Sequence, residues 1–491
     1  MKRFFGRTSY LVPAAALVLT LSMTAEARGE AKEEATVKPG IYAGDVDLSG
    51  MTAAAAEEAV KSYIEDLCSV EVTLLAGGGT EVVVTAGELG LAWANPELVT
   101  EALEIGTHGN VIERYKAMKD LEQENKVYPI ELCLDEQTVS DFLTLECAKY
   151  DTEPVDYGLE RVDGEFHVIE GQVGYTLDVE TSIDLVSVQL VRDWDGQPCT
   201  ITLDVKTKDP RGSEEELLQV KDVLGSFTTS YKTSTEDRCA NVENGCRLIN
   251  GLLLYPGDEF SMYETVSPIT AENGYFMAGS YLNGKVVDSV GGGICQVSTT
   301  LYNAVLKSEM DVTERHNHSM VVSYVEPAAD AAIASSAGKD FRFINSLKSP
   351  VYIEGYTKDR KITFNVYGIE TRPSGHAVRY ESEVLEVIQP TTEAIYEDKS
   401  KPIGYIVTQG AHIGYKARLW KVVTEDGKEV SRTVVNNSNY RMSPRSATVG
   451  TATSNPAAYA QLKAAMASNS IANVKSTIAA LTAPPPAPAP Q

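Results

Sequence analysis

The sequence predicts an α+β protein of several domains, in which duplicated α+β modules precede a mixed α+β block and a small all-β module. Three observations predict this class. With 491 residues, the chain is long enough to bury three or four cores. Strand-like and helix-like patterns alternate as far as about Pro210. A stretch rich in Val, Thr, Tyr and Glu, with turn signals between strand-like runs, follows near the C-terminus.

The N-terminal residues 1–27 have the pattern of a secretory signal peptide. Three basic residues within the first seven precede an apolar run, and Ala25-Glu26-Ala27 supplies the small-residue pattern of a cleavage site. The run is short for a membrane span, so an uncleaved membrane anchor is the less favoured interpretation. We therefore expect an extracellular or cell-wall protein, with a linker over residues 28–37.

The charge balance excludes one large class of partners. The chain has 69 acidic and 43 basic residues, and its formal net charge is −26. Such a surface repels phosphate backbones, so we expect no nucleic-acid partner. The seven cysteines have none of the spacings of a zinc site, so we expect no metal.

A weak internal repeat predicts the duplicated modules, at residues 38–130 and 131–212. The turn Gly87-Glu88-Leu89-Gly90 precedes a helical pattern over 96–105, and Gly171-Gln172-Val173-Gly174 precedes one over 180–191. Each copy reads as strand, turn, strand and helix. Chance similarity between common turns is the alternative interpretation.

The remaining chain divides into three parts. Residues 213–370 form one dense block of mixed strand and helix patterns, and residues 378–451 predict the all-β module, with turns at Asp426-Gly427 and Asn436-Asn437. Residues 452–491 are rich in Ala and Pro, so we expect a largely disordered tail with a short helix near its start.

The segment Gly291-Gly292-Gly293-Ile294-Cys295 carries the strongest chemical signal. Three glycines interrupt regular structure and a helical pattern follows at once, which places Cys295 near a helix N-terminus. Unpaired N–H groups and the helix dipole favour a thiolate there. A thiolate is the nucleophile of cysteine enzymes, so Cys295 is our candidate nucleophile.

The same block supplies candidates for the base and for the group that orients it. His316 and His318 follow Cys295 by about twenty residues. We prefer His318 as the base because it leads directly into a strand-like run. Asp340 is the first candidate to orient the imidazole, and Asp330 is the second.

Further residues are candidates for binding a substrate. The backbone around Cys295 and Gln296 is a candidate oxyanion hole, and the substrate-binding set extends to Gly292, Gly293 and Ser298. Arg315 is the candidate for holding a substrate carboxylate. In the alternative interpretation Cys295 is a small buried hydrophobe without chemistry, because most lone cysteines are.

Short motifs are distributed along the block from about Ser226 to Gly368. They are Arg238-x-x-Asn241, Pro256-Gly257-Asp258-Glu259-Phe260-Ser261, Gly274-Tyr275, the Gly291–Leu301 segment, Glu314-Arg315 with His318-Ser319, Asp330-Ala331, and Asp340-Phe341 with Asn345. With these motifs the block resembles the VanW family of cell-wall proteins. It departs from the family pattern at Ala328-Ala329-Asp330, where the family tends to show Pro-x-Gly-x-Asp.

Both flanks strengthen this resemblance. The duplicated α+β region is similar to domains described as peptidoglycan-binding, which precede VanW domains in cell-wall proteins. The β module resembles the five-glycine (G5) extracellular module. Its glycines would be Gly404, Gly410, Gly414, Gly427 and Gly450.

The resemblance implies a peptidoglycan L,D-transpeptidase, because family members with this layout are associated with that reaction. Cys295 would carry a thioester to the third residue of a donor stem peptide, and the acceptor amine of another stem would complete a 3-3 cross-link. Stem peptides and glycan would be its partners, and no metal or organic cofactor would be needed.

Two rival functions fit the same sequence. A non-catalytic cell-wall-binding or scaffold protein would carry the same flanking modules. A cysteine peptidoglycan hydrolase would use the same nucleophile with water as the acceptor. The sequence indicates no oligomeric state.

Overall fold

The computed structural model describes residues 35–282, 285–334 and 337–483. The predicted signal at 1–27 and the last eight residues lie outside the described residues. Within the described residues, no helix is both long and apolar enough to cross a membrane. The α+β multidomain class predicted from the sequence is confirmed.

Contacts divide the chain into two units, and each is described by itself. The first comprises residues 35–151 and 176–206, and the second comprises 152–175 and 207–483. Up to residue 151 the helices and strands are β1 (Ile41–Ala43), β2 (Val46–Asp47), α1 (Ala53–Cys68), β3 (Glu71–Leu75), β4 (Glu81–Thr85), β5 (Leu91–Trp93), α2 (Leu98–Glu104), α3 (Val111–Gln123), β6 (Lys126–Tyr128), β7 (Leu132–Leu134) and α4 (Glu136–Phe142).

The next segment contains a hairpin of the second unit and the remaining elements before the central block. They are β8 (Gly158–Val162), β9 (Glu165–Ile169), β10 (Gly174–Leu177), α5 (Val179–Ser187), β11 (Cys199–Thr202) and β12 (Val205–Lys208). Both copies of the predicted repeat place a strand and then a helix after the glycine turn, namely β5 with α2 and β10 with α5.

Helix α1 illustrates how the sequence forms the first unit. The Thr52 hydroxyl accepts a hydrogen bond from the backbone of Ala55 at 3.3 Å and caps the helix. Ala56, Val60 and Ile64 are spaced by four and are buried. In the neighbouring sheet β11 pairs in parallel with β3, which pairs antiparallel with β4. Strands of both predicted modules thus share one sheet, and the boundary at residue 130 stays a prediction.

The predicted linker over 28–37 is wrong at its end. Val37 is buried, and its backbone exchanges hydrogen bonds with Met51 and Gly50. An apolar side chain at this position contributes to the core that also contains Ile41, so the folded unit already includes it.

The central block of the second unit is built around one buried helix. Its elements are α6 (Glu214–Leu217), β13 (Asp222–Ser230), α7 (Glu236–Ile249), β14 (Leu252–Leu254), β15 (Glu259–Ser261), α8 (Met262–Val266), β16 (Met277–Leu282), β17 (Lys285–Val290), α9 (Ile294–Lys307), β18 (Asp311–Glu314), β19 (Arg342–Ile344), β20 (Val351–Lys358) and β21 (Lys361–Gly368). The sheet order is β13-β21-β20-β14, and α9 packs against β13, β21 and α7.

Close packing around α9 depends on small residues. A Cβ on Gly225 of β13 would lie 2.3 Å from the carbonyl oxygen of Ala304, so only glycine allows this approach. Val297, Leu301 and Val305 are fully buried in the core. Because twelve of the fourteen residues of α9 are buried, the helix is a rigid support for the groups at its N-terminus.

The C-terminal module confirms the all-β prediction. Its strands are β22 (His376–Ile388), β23 (Glu393–Pro402), β24 (Ile406–Gln409), β25 (Gly414–Glu425), β26 (Lys428–Tyr440) and β27 (Arg445–Ala452). They form sheets of order β22-β25-β26 and β23-β27-β24. The predicted turn at Asp426-Gly427 joins β25 to β26 with both residues at positive φ. The turn predicted at Asn436-Asn437 is wrong, because both residues pair with β25 inside β26.

The tail predicted to be largely disordered is folded over most of its described length. Helices α10 (Pro456–Ala467) and α11 (Ile471–Thr482) follow the last strand, and α10 confirms the predicted short helix. Leu462 and Val474 are fully buried against Ala447 and Val449 of β27. Alanine-rich segments form helices when a few apolar residues pack on a neighbouring surface.

A charged cluster joins the C-terminal module to the central block. His376 lies 2.7 Å from Glu309 through Nε2 and 2.8 Å from Glu425 through Nδ1. Lys421 also binds Glu309, at 2.7 Å. These contacts lie away from the N-terminus of α9, at its opposite end.

Candidate active site

Cys295 lies in the first turn of α9, and the glycines before it make that position reachable. Gly293 precedes the helix with φ at 115°, a left-handed conformation that favours glycine. A Cβ on Gly292 would lie 2.3 Å from the carbonyl oxygen of Ala278. The side-chain amide of Asn241 donates to the Gly292 carbonyl at 2.9 Å. The glycine turn is thus fixed by its neighbours, and Cys295 as a residue is half-buried.

The structure brings Cys295, His318 and Asp330 together. The imidazole of His318 hydrogen-bonds the sulfur of Cys295. His318 Nδ1 lies 2.6 Å from Asp330 Oδ2, and the backbone N–H of His318 donates to the same oxygen at 2.8 Å. Because Nδ1 faces Asp330, Nε2 is the nitrogen left for Cys295. The three side chains therefore have the order of a nucleophile, a base and an orienting carboxylate.

The electrostatic interactions among Cys295, His318 and Asp330 favour a thiolate and an imidazolium. Burial alone would raise the pKa of the Cys295 thiol, but the hydrogen bond and the charge of His318 lower it below its usual value. Burial would lower the pKa of His318, but its hydrogen bonds to Asp330 and Cys295 raise it to about 9. His318 is only 8% exposed, so little water screens this pair.

Arg315 and Tyr440 fix the orienting carboxylate. Arg315 Nη2 donates to Asp330 Oδ1 at 2.9 Å, and the Tyr440 hydroxyl donates to the same oxygen. The Arg315 guanidinium also donates to the backbone of Ala328 and to two side chains of β26. Its side chain is only 7% exposed. The prediction that Arg315 holds a substrate carboxylate is therefore wrong, because its donors are already used inside the protein.

Two of the predicted catalytic residues lie elsewhere. Asp340 accepts hydrogen bonds from the Ser261 hydroxyl at 2.6 Å and from the backbone of Tyr263 at 2.8 Å. The preference for Asp340 over Asp330 as the orienting group was wrong. His316 pairs with Glu314 at 2.9 Å, so the preference for His318 over His316 agrees with the contacts at Cys295.

The predicted substrate-binding set is only partly accessible. Gln296 and Ser298 are buried, and the Gln296 amide donates to Thr229 and Ser230, so neither side chain faces a ligand. Gly292 is buried as well. Among the described residues, no acceptor pairs with the backbone N–H groups of Gly293 and Cys295. These two N–H groups are the part of the predicted oxyanion hole that stays available.

Sequence reasoning missed two polar residues near the site, namely Tyr324 beside His318 and Arg238 beside Gly293. The Tyr324 hydroxyl bonds Thr299, and its ring stands edge-on to His318 with centroids 6.5 Å apart. Arg238 lies against Gly293 and donates to Gln296 at 3.0 Å. The Arg238-x-x-Asn241 motif was a usable signal for Arg238, whereas no motif marked Tyr324.

A groove runs beside this site. It has a volume of about 360 Å³, and its wall includes Ile333, whose carbonyl oxygen lies 3.5 Å from the Cys295 sulfur. Its lining is mostly apolar and comprises Tyr263, Pro268, Ile269, Thr270, Val290, Ile333 and Ala334. Within the described residues, the groove borders Cys295 through Ile333.

Three family models match separate parts of the chain. The model described as "VanW like protein" matches residues 237–367, which contain Cys295, His318 and Asp330. The "Putative peptidoglycan binding domain" matches residues 82–194, and the "G5 domain" matches residues 380–452. The last two matches fit an extracellular or cell-wall location.

Two solved G5 structures are also similar to the C-terminal module. The IgA1 protease G5 domain is 26% identical, with a TM-score of 0.12 over 16% of this chain and 94% of that chain. HP0197-G5 is 22% identical, with a TM-score of 0.10 over 16% of this chain and 100% of that chain. At TM-scores this low, neither carries an argument about the fold.

Two curated proteins are similar in sequence. The Vancomycin B-type resistance protein VanW of Enterococcus faecalis is 30% identical over 95 residues, which are 19% of this chain and 34% of that protein. The uncharacterized protein YoaR of Bacillus subtilis is 30% identical over 222 residues, which are 45% of this chain. Because this similarity extends over 71% of YoaR, and the VanW model matches the central block, the chain belongs to the family of VanW-like proteins.

Proposed function

We propose that this protein is a peptidoglycan L,D-transpeptidase that forms 3-3 cross-links through a cysteine thioester. One observation carries the proposal. At the N-terminus of a buried helix, Cys295 is hydrogen-bonded to His318, and His318 is hydrogen-bonded to Asp330. The peptidoglycan-binding match supports the choice of a cell-wall substrate. A merely structural cysteine would not require a buried ion-paired histidine beside it.

In the first step the Cys295 thiolate attacks the carbonyl carbon of the third residue of a donor tetrapeptide stem. The carbonyl oxygen becomes an oxyanion, which would accept hydrogen bonds from the N–H groups of Gly293 and Cys295, since neither has an acceptor within the described residues. The amide bond then breaks, and the His318 imidazolium gives its proton to the departing amine of the terminal D-Ala. The product is a thioester between Cys295 and the shortened stem.

In the second step an amine replaces the sulfur. The side-chain amine of the third residue of another stem attacks the thioester carbonyl, and neutral His318 takes the proton that this amine loses. The C–S bond breaks and the thiolate is restored beside the imidazolium. Asp330 holds Nδ1 throughout, which keeps Nε2 directed at the sulfur.

The surroundings of the sulfur suit a stem peptide. The groove along Ile333 is mostly apolar, as expected for small methyl-bearing residues such as alanine. Arg238 packs against Gly293 and is only half-buried, so its guanidinium, which also donates to Ser234 and Gln296, is our candidate for the terminal carboxylate of the donor stem. It takes the role that the sequence alone suggested for Arg315.

The test is incubation of the purified protein with disaccharide-tetrapeptide muropeptides, followed by mass spectrometry. We expect dimers joined through their third residues, with one D-Ala released per cross-link. Cys295→Ala should abolish both products. Cys246→Ala is the matched control, because that thiol is buried in the core and burial raises its pKa to about 12.

The outcome also separates the rival functions. Cleaved muropeptides without dimers would identify a cysteine hydrolase, in which water replaces the acceptor amine. Muropeptides left intact by a folded wild-type protein would contradict both enzymatic readings and favour a wall-binding scaffold.

A further inference from the structure

Strand β26 of the C-terminal module reaches the orienting carboxylate of the central block. Asn436, Ser438 and Tyr440 alternate along this strand, so their side chains share one face. That face meets the turn that ends in Asp330. Tyr440 is 1% exposed and donates its hydroxyl to Asp330 Oδ1.

The same face holds a turn in an unfavourable conformation. Ala328 is fully buried and has φ at 71°, a region that L-residues with a Cβ rarely occupy. Its N–H donates to the Tyr440 hydroxyl at 2.7 Å, and its carbonyl oxygen accepts from the Asn436 amide at 3.1 Å. Both backbone polar groups of Ala328 are therefore satisfied by the C-terminal module.

Arg315 extends this network. Its Nη1 donates to Ser438 at 2.8 Å and to Asn436 at 3.1 Å, while its Nη2 donates to Asp330. The guanidinium is thus held between β26 and the carboxylate. Among the described residues, the donors to the Asp330 carboxylate other than His318 are Tyr440 of the C-terminal module and Arg315, which that module holds in place.

We propose that the C-terminal module completes the Cys295 site, with Tyr440 as a positioning residue that fixes Asp330 and the Ala328 turn. The inference rests on the proposed function only in taking Cys295 as the nucleophile. It assigns to this module a role in the chemistry in addition to any contact with the cell wall. Tyr440 acts through Asp330 and His318 and does not itself contact the sulfur.

The test compares two tyrosines of the C-terminal module whose hydroxyl groups both bind residues of the central block. Tyr440→Phe keeps the ring and removes the hydroxyl that serves Asp330 and Ala328. Tyr380→Phe is the matched control, because the Tyr380 hydroxyl donates to the Leu306 carbonyl at 2.6 Å, between the same two domains but away from Asp330. The charged or titratable groups that act on Cys295 are His318, Asp330 and Tyr324, and Arg238 acts on Tyr324; all four stay unchanged in both variants.

The readout is the rate of Cys295 alkylation by iodoacetamide against pH, in the full chain, with peptide mapping. In Tyr440→Phe we expect the apparent pKa of the Cys295 thiol to rise and alkylation at pH 6.5 to slow about tenfold, the effect of losing one hydrogen bond to a charged group. In the muropeptide reaction kcat should fall by a similar factor with KM unchanged. Tyr380→Phe should match the wild type in each measurement.

A second variant keeps the inference testable if Tyr440→Phe does not fold. Asn436→Ser removes the amide that donates to the Ala328 carbonyl and leaves Tyr440 in place, and its alkylation profile should move in the same direction. Wild-type profiles in the folded variants, or an equal shift in Tyr380→Phe, would overturn the inference. Because alkylation needs no muropeptide, a shift confined to the β26 variants supports the inference even if the wild type forms no cross-links.

Discussion

The replacement His318→Gln tests the thiolate–imidazolium pair most directly. The pKa of His318 rises from 6.5 to about 9 in the folded protein, which corresponds to roughly 3 kcal/mol of preferential stabilisation of the charged imidazole. In the wild type, the His318 imidazolium therefore lowers the pKa of the Cys295 thiol and favours the thiolate. Without the imidazolium, burial remains and raises the pKa of the thiol.

The expected magnitude follows from these values. An ordinary thiol is only a few per cent ionised at pH 7. Asp330 and Cys295 share the roughly 3 kcal/mol by which the imidazolium is favoured, so the loss of the imidazolium lowers the thiolate population by at most about 100-fold. Since a thiolate of low pKa is also a weaker nucleophile, we expect alkylation of Cys295 at pH 7 to slow by about 10- to 100-fold.

The assay is iodoacetamide alkylation between pH 5 and 10 with mass spectrometry of each cysteine peptide. The exposed Cys133 is an internal reference in the same sample. His316→Gln is the matched control, because His316 is two residues away, has a 38% exposed side chain and binds Glu314. An alkylation profile of His318→Gln that coincides with the wild type would refute the reasoning, and so would an equal slowing in His316→Gln.

Three further predictions concern the support of this site. Asp330→Asn should lower the free energy of unfolding in urea by about 3–5 kcal/mol, because it leaves the buried Arg315 without its counter-charge. A loss below about 1 kcal/mol would contradict the prediction that this ion pair stabilises the fold. Hydrogen bonds to Glu425 and Glu309 raise the pKa of His376 against the effect of burial. The stability that protonated His376 contributes to the fold is therefore complete below about pH 6.5, and it is lost as the pH rises through the raised folded-state pKa. The difference in unfolding free energy between wild type and His376→Gln should therefore shrink between pH 5.5 and 9, and a difference that grows would exclude the ion pair. Gly292→Ala places a Cβ 2.3 Å from a carbonyl oxygen, so it should lower the free energy of unfolding by about 1–3 kcal/mol and slow the alkylation of Cys295. Gly410→Ala is the control, because there is open space around Gly410, and it should match the wild type in both measurements.

Local patterns predicted the elements but not the partners of Asp330. The glycine turn and the helical period placed Cys295 at a helix N-terminus correctly, because both depend on residues adjacent in sequence. Asp330 and Asp340 are only ten residues apart, so sequence position does not distinguish them. The choice between them requires knowing which of the two lies next to His318 in the folded protein. Asp340 instead stabilises the backbone at Ser261 and Tyr263, a role that leaves no local pattern.

The errors in the C-terminal region have a related cause. Asn436-Asn437 is a turn signal in isolation, yet Asn436 lies in a strand, where its amide binds Ala328 and its carbonyl oxygen accepts from Arg315. A long-range hydrogen bond overrides the local preference of asparagine. The tail was predicted to be disordered from its composition, but its few apolar residues find a surface on β27 that the composition does not reveal.

The sequence by itself determined the order of the domains, the all-β character of the C-terminal module, the family and the position of Cys295 at the start of a helix. These depend on composition, periodicity and motifs that are continuous along the chain. Only the tertiary structure decided that His318 and Asp330 serve the sulfur, that Arg315 is an internal support, and that Tyr440 reaches the same carboxylate from a separate domain. Buried charges and strained turns need partners, and those partners come from segments that are distant in sequence and adjacent only after folding.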